Sequence, residues 1–240
     1  MKRLSLLTLI FAALSLIFLL LLVFFRVPFQ LEPLMSWQDA LDLLTPLVLI
    51  PLYWLMFRFS ASGRSGLAGE IAFLALAVLW VMGHSMHLSA NSISNLIEAL
   101  KRSGEIDITG MSIYTLTYFY DELLSHYLWH ISIIGFAALL IYREWRQPAG
   151  AATVWWQAIV GGVLYGFTCF CIFLEGNTVP LGLPFTLIVV LIGLIWGRSR
   201  MKTQPVLAFF FVSCLVALLF LAGWGLYWRD FRPFSAAGLL

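Results

Sequence analysis

The ten residues "DELLSHYLWH", 121 to 130, set two carboxylates and two histidines at the mouth of an apolar run. Side chains four apart share a helix face, so Glu122, His126 and His130 are expected to form one polar stripe. Asp121 lies about 100° from Glu122 on a helix of roughly 3.6 residues per turn, which suits a cap or a supporting partner. The chain's other two histidines stand in "GHSMHLSANSISN", where steps of three, four and four put His84, His87, Asn91 and Asn95 near one face of a second helix. Glu175, in "IFLEGNTVP", closes a third apolar run. Imidazole with carboxylate is a ligand set for Zn, Fe, Ni and Mn, and histidines three or four apart can hold one ion from a single helix. The expected roles are direct ligation by His87, His126 and His130 and a fourth ligand or supporting contact from His84. Glu122 and Glu175 would transfer protons, with Asp121, Asn91 and Asn95 behind them.

This set suits a metal-dependent membrane enzyme. A bound Zn, or alternatively Fe, would lower the pKa of a water that attacks a lipid-borne ester or amide, and a carboxylate would take the proton. The parts resemble those of the seven-span alkaline ceramidase and adiponectin-receptor superfamily, which uses three histidines, an Asp and a Ser. That resemblance implies metal-assisted hydrolysis. The order differs: that family has Ser-x-x-x-His early and His-x-x-x-His in its last span, whereas here the His126-x-x-x-His130 pair falls in the fourth span and Trp80 stands four before His84. The resemblance therefore extends to the chemistry and not to membership. Two alternatives use the same residues: a metal-ion or proton transporter, and a b-type haem protein with one axial histidine from each of two spans.

The elements that must position these residues are membrane helices. The chain is 62% hydrophobic and 11% charged over 240 residues, with a mean hydropathy of +0.95, against roughly a quarter charged in soluble proteins. Runs long enough to cross a roughly 30 Å hydrocarbon core are read at about 5–25, 40–57, 71–88, 123–142, 154–174, 181–197 and 206–227. The expected fold is thus all-α, a single seven-helix transmembrane domain over 1–240, with no room for a soluble or nucleic-acid-binding module. The stretch 88–109 carries Ile93, Leu96, Ile97 and Leu100 at helical spacing and is expected as an amphipathic connector on the outer surface. The first run is longer than a signal-peptide core of roughly 7–15 residues and is read as a retained anchor. Membrane lipids are the expected partners, with a lipid or other hydrophobic substrate.

Charge asymmetry orients the chain. With the N-terminus cytoplasmic, Lys2, Arg3, Arg58, Arg64, Arg143, Arg146, Arg198, Arg200 and Lys202 fall inside, against Arg26, Lys101, Arg102, Arg229 and Arg232 outside. The C-terminus is then outside, all four histidines lie in the outer layer, and the expected location is a prokaryotic plasma membrane. Cys169, Cys171 and Cys214 sit within apolar runs and read as buried thiols. Gly162 and Gly166 make a small-x-x-x-small face on the fifth run that allows a close helix approach.

Overall fold

The computed structural model describes residues 3–24, 27–29, 32–63, 65–104 and 110–239. Its helices in chain order are α1 (Arg3–Leu19), α2 (Trp37–Asp42), α3 (Thr45–Phe59), α4 (Leu67–Ser103), α5 (Ser112–Tyr118), α6 (His126–Arg146), α7 (Trp155–Glu175), α8 (Val179–Ile192) and α9 (Pro205–Trp228). A short antiparallel ribbon, Pro28–Phe29 with Glu32–Ser36, joins α1 to α2. Wide π-helical turns, Phe119–Ser125 and Gly193–Gly197, precede α6 and follow α8. Six helical stretches are long and apolar enough to cross a membrane: Trp37–Phe59, Leu67–Ser103, Ser112–Arg146, Trp155–Glu175, Val179–Gly197 and Pro205–Trp228. The chain therefore reads as a multi-pass membrane protein. The first of the seven expected spans differs: α1 is a shorter apolar helix of 17 residues that gives way to a tight helical turn at Leu21–Phe24.

The bundle is built on α7. Gly161, Gly162 and Gly166 leave no side chain between it and its neighbours. A Cβ at Gly162 would lie 2.6 Å from the Val212 side chain, and one at Gly166 would run into the backbone carbonyl of Ser213. This is the close approach that small residues permit between apolar helices, and α9 and α1 pack there. Phe11 of α1 is fully buried, with ring centroids 4.5 Å from Tyr53, 5.0 Å from Tyr165 and 6.2 Å from Phe209. The hydroxyls of Tyr53 and Tyr165 bond each other at 2.6 Å, which satisfies both inside the core.

α4 is one unbroken helix of 37 residues, about 55 Å long at 1.5 Å per residue. It ends at Gly104, whose φ of +74° is the left-handed conformation that glycine adopts without strain. Residues 88–103 are accordingly the last turns of this helix and not a separate connector, because nothing in "HLSANSISNLIEALKRS" breaks the backbone ladder. Residues 105–109 of the expected connector lie outside the described residues. α4 packs along α6 and its preceding π turn. At the opposite end of the bundle the buried carboxylate of Glu144 accepts the backbone N–H groups of Val206 at 3.3 Å and Leu207 at 2.7 Å. It supplies the acceptor that the first turn of α9 needs.

Candidate functional site

The two histidine-bearing helices meet side by side. α4 carries His84 and His87, and α6 with its π turn carries Asp121, Glu122, His126, Trp129 and His130. Gly83 makes the approach possible: a Cβ there would stand 2.7 Å from both the Ser125 carbonyl oxygen and the Trp129 backbone nitrogen. The end of α7 closes the third side. A Cβ on Gly176 would lie 2.6 Å from Cε1 of His130 and 3.2 Å from Cγ of His126. Between these walls is a cavity of about 250 Å³, lined among others by His87, Glu122, His126, Trp129, His130 and Glu175. Three of the four histidines and both expected proton-transfer carboxylates thus line one cavity.

His126 and His130 each have one ring nitrogen hydrogen-bonded, and His87 stands beside a carboxylate. Nδ1 of His126 is 3.1 Å from the carbonyl oxygen of Glu122 one turn earlier, and Nδ1 of His130 is 2.5 Å from the Thr178 hydroxyl at the start of α8. Nδ1 of His87 is 2.9 Å from Oδ1 of Asp121, at ion-pair distance but without hydrogen-bond alignment. The ring centroids of His87 and His126 are 4.7 Å apart, and those of His126 and His130 5.7 Å with nearly parallel planes. His130 is 1% exposed and its Nε2 has no partner among the described residues, a rare condition for a buried polar atom.

The π turn sets the carboxylates. Hydrogen bonds in a π-helix span i to i+5, so angular steps through "FYDELLS" are smaller than on an α-helix. Asp121 turns inward to α4 and is 2% exposed, while Glu122 stays at the cavity wall, half-buried. The α-helical reading of one Glu122, His126, His130 stripe leaves this out, because it assumes an even turn throughout.

His84, Asn91 and Asn95 are placed elsewhere. His84 points to α2: its Nε2 is 2.9 Å from the backbone oxygen of Asp42 and 3.5 Å from that residue's Oδ1. It packs edge-on against Trp129, centroids 5.2 Å apart, and is absent from the cavity lining. Asn91 and Asn95 contact each other at 3.4 Å on an exposed part of α4 and do not line the cavity. Glu175 lines it, and its Oε1 also accepts the Ser235 N–H at 3.3 Å, tying down the C-terminal tail. The tail is further held by Trp224 Nε1, which donates to the Arg232 carbonyl at 3.1 Å, and by Phe234 stacked edge-on against Trp224.

Sequence reasoning missed Asp42, Thr178 and Gln38. Asp42 and Gln38 line the cavity and Thr178 holds His130. The signal available for Asp42 was its place at the start of the second apolar run, on the same level as the histidines. Thr178 sits in the turn after Glu175, and nothing local distinguishes it.

No group of three or more His, Cys, Asp or Glu side chains among the described residues is arranged to hold a metal ion. What the arrangement does offer is acid–base chemistry: an imidazole backed by a buried carboxylate, further imidazoles, and two wall carboxylates. Toward the other end of the bundle from this layer, the space is filled by aromatic rings. Trp80, Tyr53 and Phe136 are all fully buried, with Tyr53 stacked on Phe136 at 4.6 Å and 5.7 Å from Trp80.

No family model, no curated protein and no solved structure matches this chain.

Proposed function

We propose that this chain is an integral membrane hydrolase that acts on a lipid or other membrane-borne substrate at the outer leaflet. The observation that supports it is the His87–Asp121 contact, 2.9 Å, at the wall of a cavity that also holds His126, His130, Glu122 and Glu175. Asp121 orients the imidazole and stabilises its protonated form, as a buried carboxylate does for a catalytic histidine. His87 removes a proton from water as that water attacks the ester or amide carbonyl. That proton passes from the imidazolium of His87 to the leaving group, with Glu122, ionised at rest, relaying it. Phe18 of α1, with Leu20 and Leu22 just after it, gives the cavity apolar lining for the substrate's chain.

The outer-leaflet placement follows the Lys and Arg count, with the N-terminus cytoplasmic in a prokaryotic plasma membrane and α1 completing seven helical segments. The aromatic filling below the histidines favours an enzyme over a transporter, since a transport path must continue to the other face.

Metal dependence is a second reading, with Zn ahead of Fe and haem. His126 and His130 each engage Nδ1 with a protein oxygen, the outer contact that commonly orients metal-binding histidines, which leaves Nε2 to face a ligand. Side-chain movement would be needed to bring a third ligand in.

Turnover in ¹⁸O-labelled water tests the proposal. Purified protein supplied with a bacterial lipid extract should release a carboxylic acid carrying one ¹⁸O, seen by mass spectrometry. Absence of labelled product across the extract counts against hydrolysis. Elemental analysis of the same sample separates the two readings: stoichiometric Zn or Fe that is lost in the His126→Ala/His130→Ala variant supports the metal reading, and activity without metal supports the imidazole one.

A further inference from the structure

The cavity has a charge and a ring pattern that point to a particular headgroup. Asp42, Glu122 and Glu175 line it, and among the described residues no Lys or Arg does. Asp42 accepts from the Thr45 hydroxyl on one oxygen at 2.7 Å, which leaves it a second acceptor oxygen, and Glu175 accepts from Ser235 of the C-terminal tail. Trp129 lines the same cavity among the histidine rings, its centroid 5.0 Å from His130, 6.2 Å from His87 and 6.4 Å from His126. Carboxylates and an aromatic ring lining one cavity are the two features that attract an ammonium group, by charge and by the ring quadrupole. Independently of the carboxylates, Nε2 of the buried His130, which lines the same cavity, has no partner among the described residues. The volume of about 250 Å³ equals about eight waters at roughly 30 Å³ each, room for a small headgroup and the first carbons of a chain.

We infer that the cavity binds an amphiphile with a cationic, amine-type headgroup, the nitrogen held by the carboxylates and Trp129 and the chain leaving past Phe18, Leu20 and Leu22. This rests on the reading that the site takes a membrane-borne substrate, and it narrows the class. An acidic phospholipid headgroup would meet the same carboxylates with like charge, and at an effective dielectric of about 20 each such charge pair at about 8 Å costs on the order of 2 kcal/mol.

Cys171 lines the same cavity and supplies the probe. In a Cys169→Ala/Cys214→Ala background, its thiol takes the RS group of a methanethiosulfonate reagent with departure of methanesulfinate. The rates with the aminoethyl (cationic), methyl (neutral) and sulfonatoethyl (anionic) reagents are each divided by their rates with free 2-mercaptoethanol. The cationic-to-anionic ratio should then exceed unity by about tenfold or more, and Glu122→Gln/Glu175→Gln should bring it down severalfold. A ratio at or below unity overturns the inference. So does failure of the neutral reagent to react, because a cavity that admits a headgroup must admit it. These outcomes are separate from turnover: a high ratio in a protein without hydrolytic activity keeps the ligand class and removes the enzyme reading, whereas turnover with a reversed ratio does the opposite.

Discussion

Replacing Thr178 by valine removes one atom's chemistry and almost none of its shape. The hydroxyl is 2.5 Å from Nδ1 of His130, and the two residues are 0% and 1% exposed. Nε2 of the same ring already lacks a partner, so Thr178→Val leaves an imidazole with both nitrogens unpaired inside the bundle. A buried polar group left without its partner costs about 1–3 kcal/mol. At about 2–4 °C per kcal/mol for a chain of about this size, the melting temperature should fall by about 2–12 °C. Thr178→Ser keeps the hydroxyl and should stay close to the parent. The assay is thermal unfolding in a mild detergent, read by intrinsic fluorescence and by the monodisperse fraction on a sizing column. A Thr178→Val protein as stable as the parent, or a Thr178→Ser protein damaged equally, would refute the reasoning, since it would mean that the hydroxyl is not what holds His130.

Three further changes have worked directions. Glu144→Ala strips the acceptor from two buried N–H groups at the start of α9 and should cost about 2–4 kcal/mol, with Glu144→Gln milder; melting curves of the pair read the difference. Gly83→Ala forces a methyl against the backbone of Ser125 and Trp129 and should destabilise by about 1–3 kcal/mol, whereas Gly223→Ala meets nothing within 4 Å and should be neutral or stabilising by the helix preference for alanine. Arg232 holds the Asp230 carboxyl below its usual range through a 2.7 Å contact. That lowered value would add stability only above the ordinary carboxylate range, lost as pH falls through it, but the pair is exposed, so Asp230→Asn should leave melting unchanged across neutral and mildly acidic pH.

The helical membrane character was legible from the apolar runs alone, because hydropathy and length decide it. Six of the runs appear as helices of crossing length. α1 ends early at Leu19, in a run of leucines that gives no stop signal in the sequence. The continuation of α4 to Ser103 was hidden by its change from apolar to polar composition, which reads as an exit from the membrane but carries no helix breaker. For the site, the meeting of His87, His126, His130 and the two glutamates at one level could be read from helix rise and alternating direction. The orientation of each ring could not. His84 and His87 are three apart, yet one faces Asp42 and the other Asp121, and that split depends on where α2 and the π turn sit.

That split also gives the most direct test of the central claim, that the His87 side of α4 does the chemistry. Turnover of membrane lipid in labelled water should be measured for the parent, His87→Ala and His84→Ala, each normalised to folded protein. The account predicts labelled product from the parent, its loss in His87→Ala, and retention of the greater part in His84→Ala, whose ring is held by Asp42 away from the cavity. Equal activity in His87→Ala and the parent, or loss in His84→Ala alone, would contradict it.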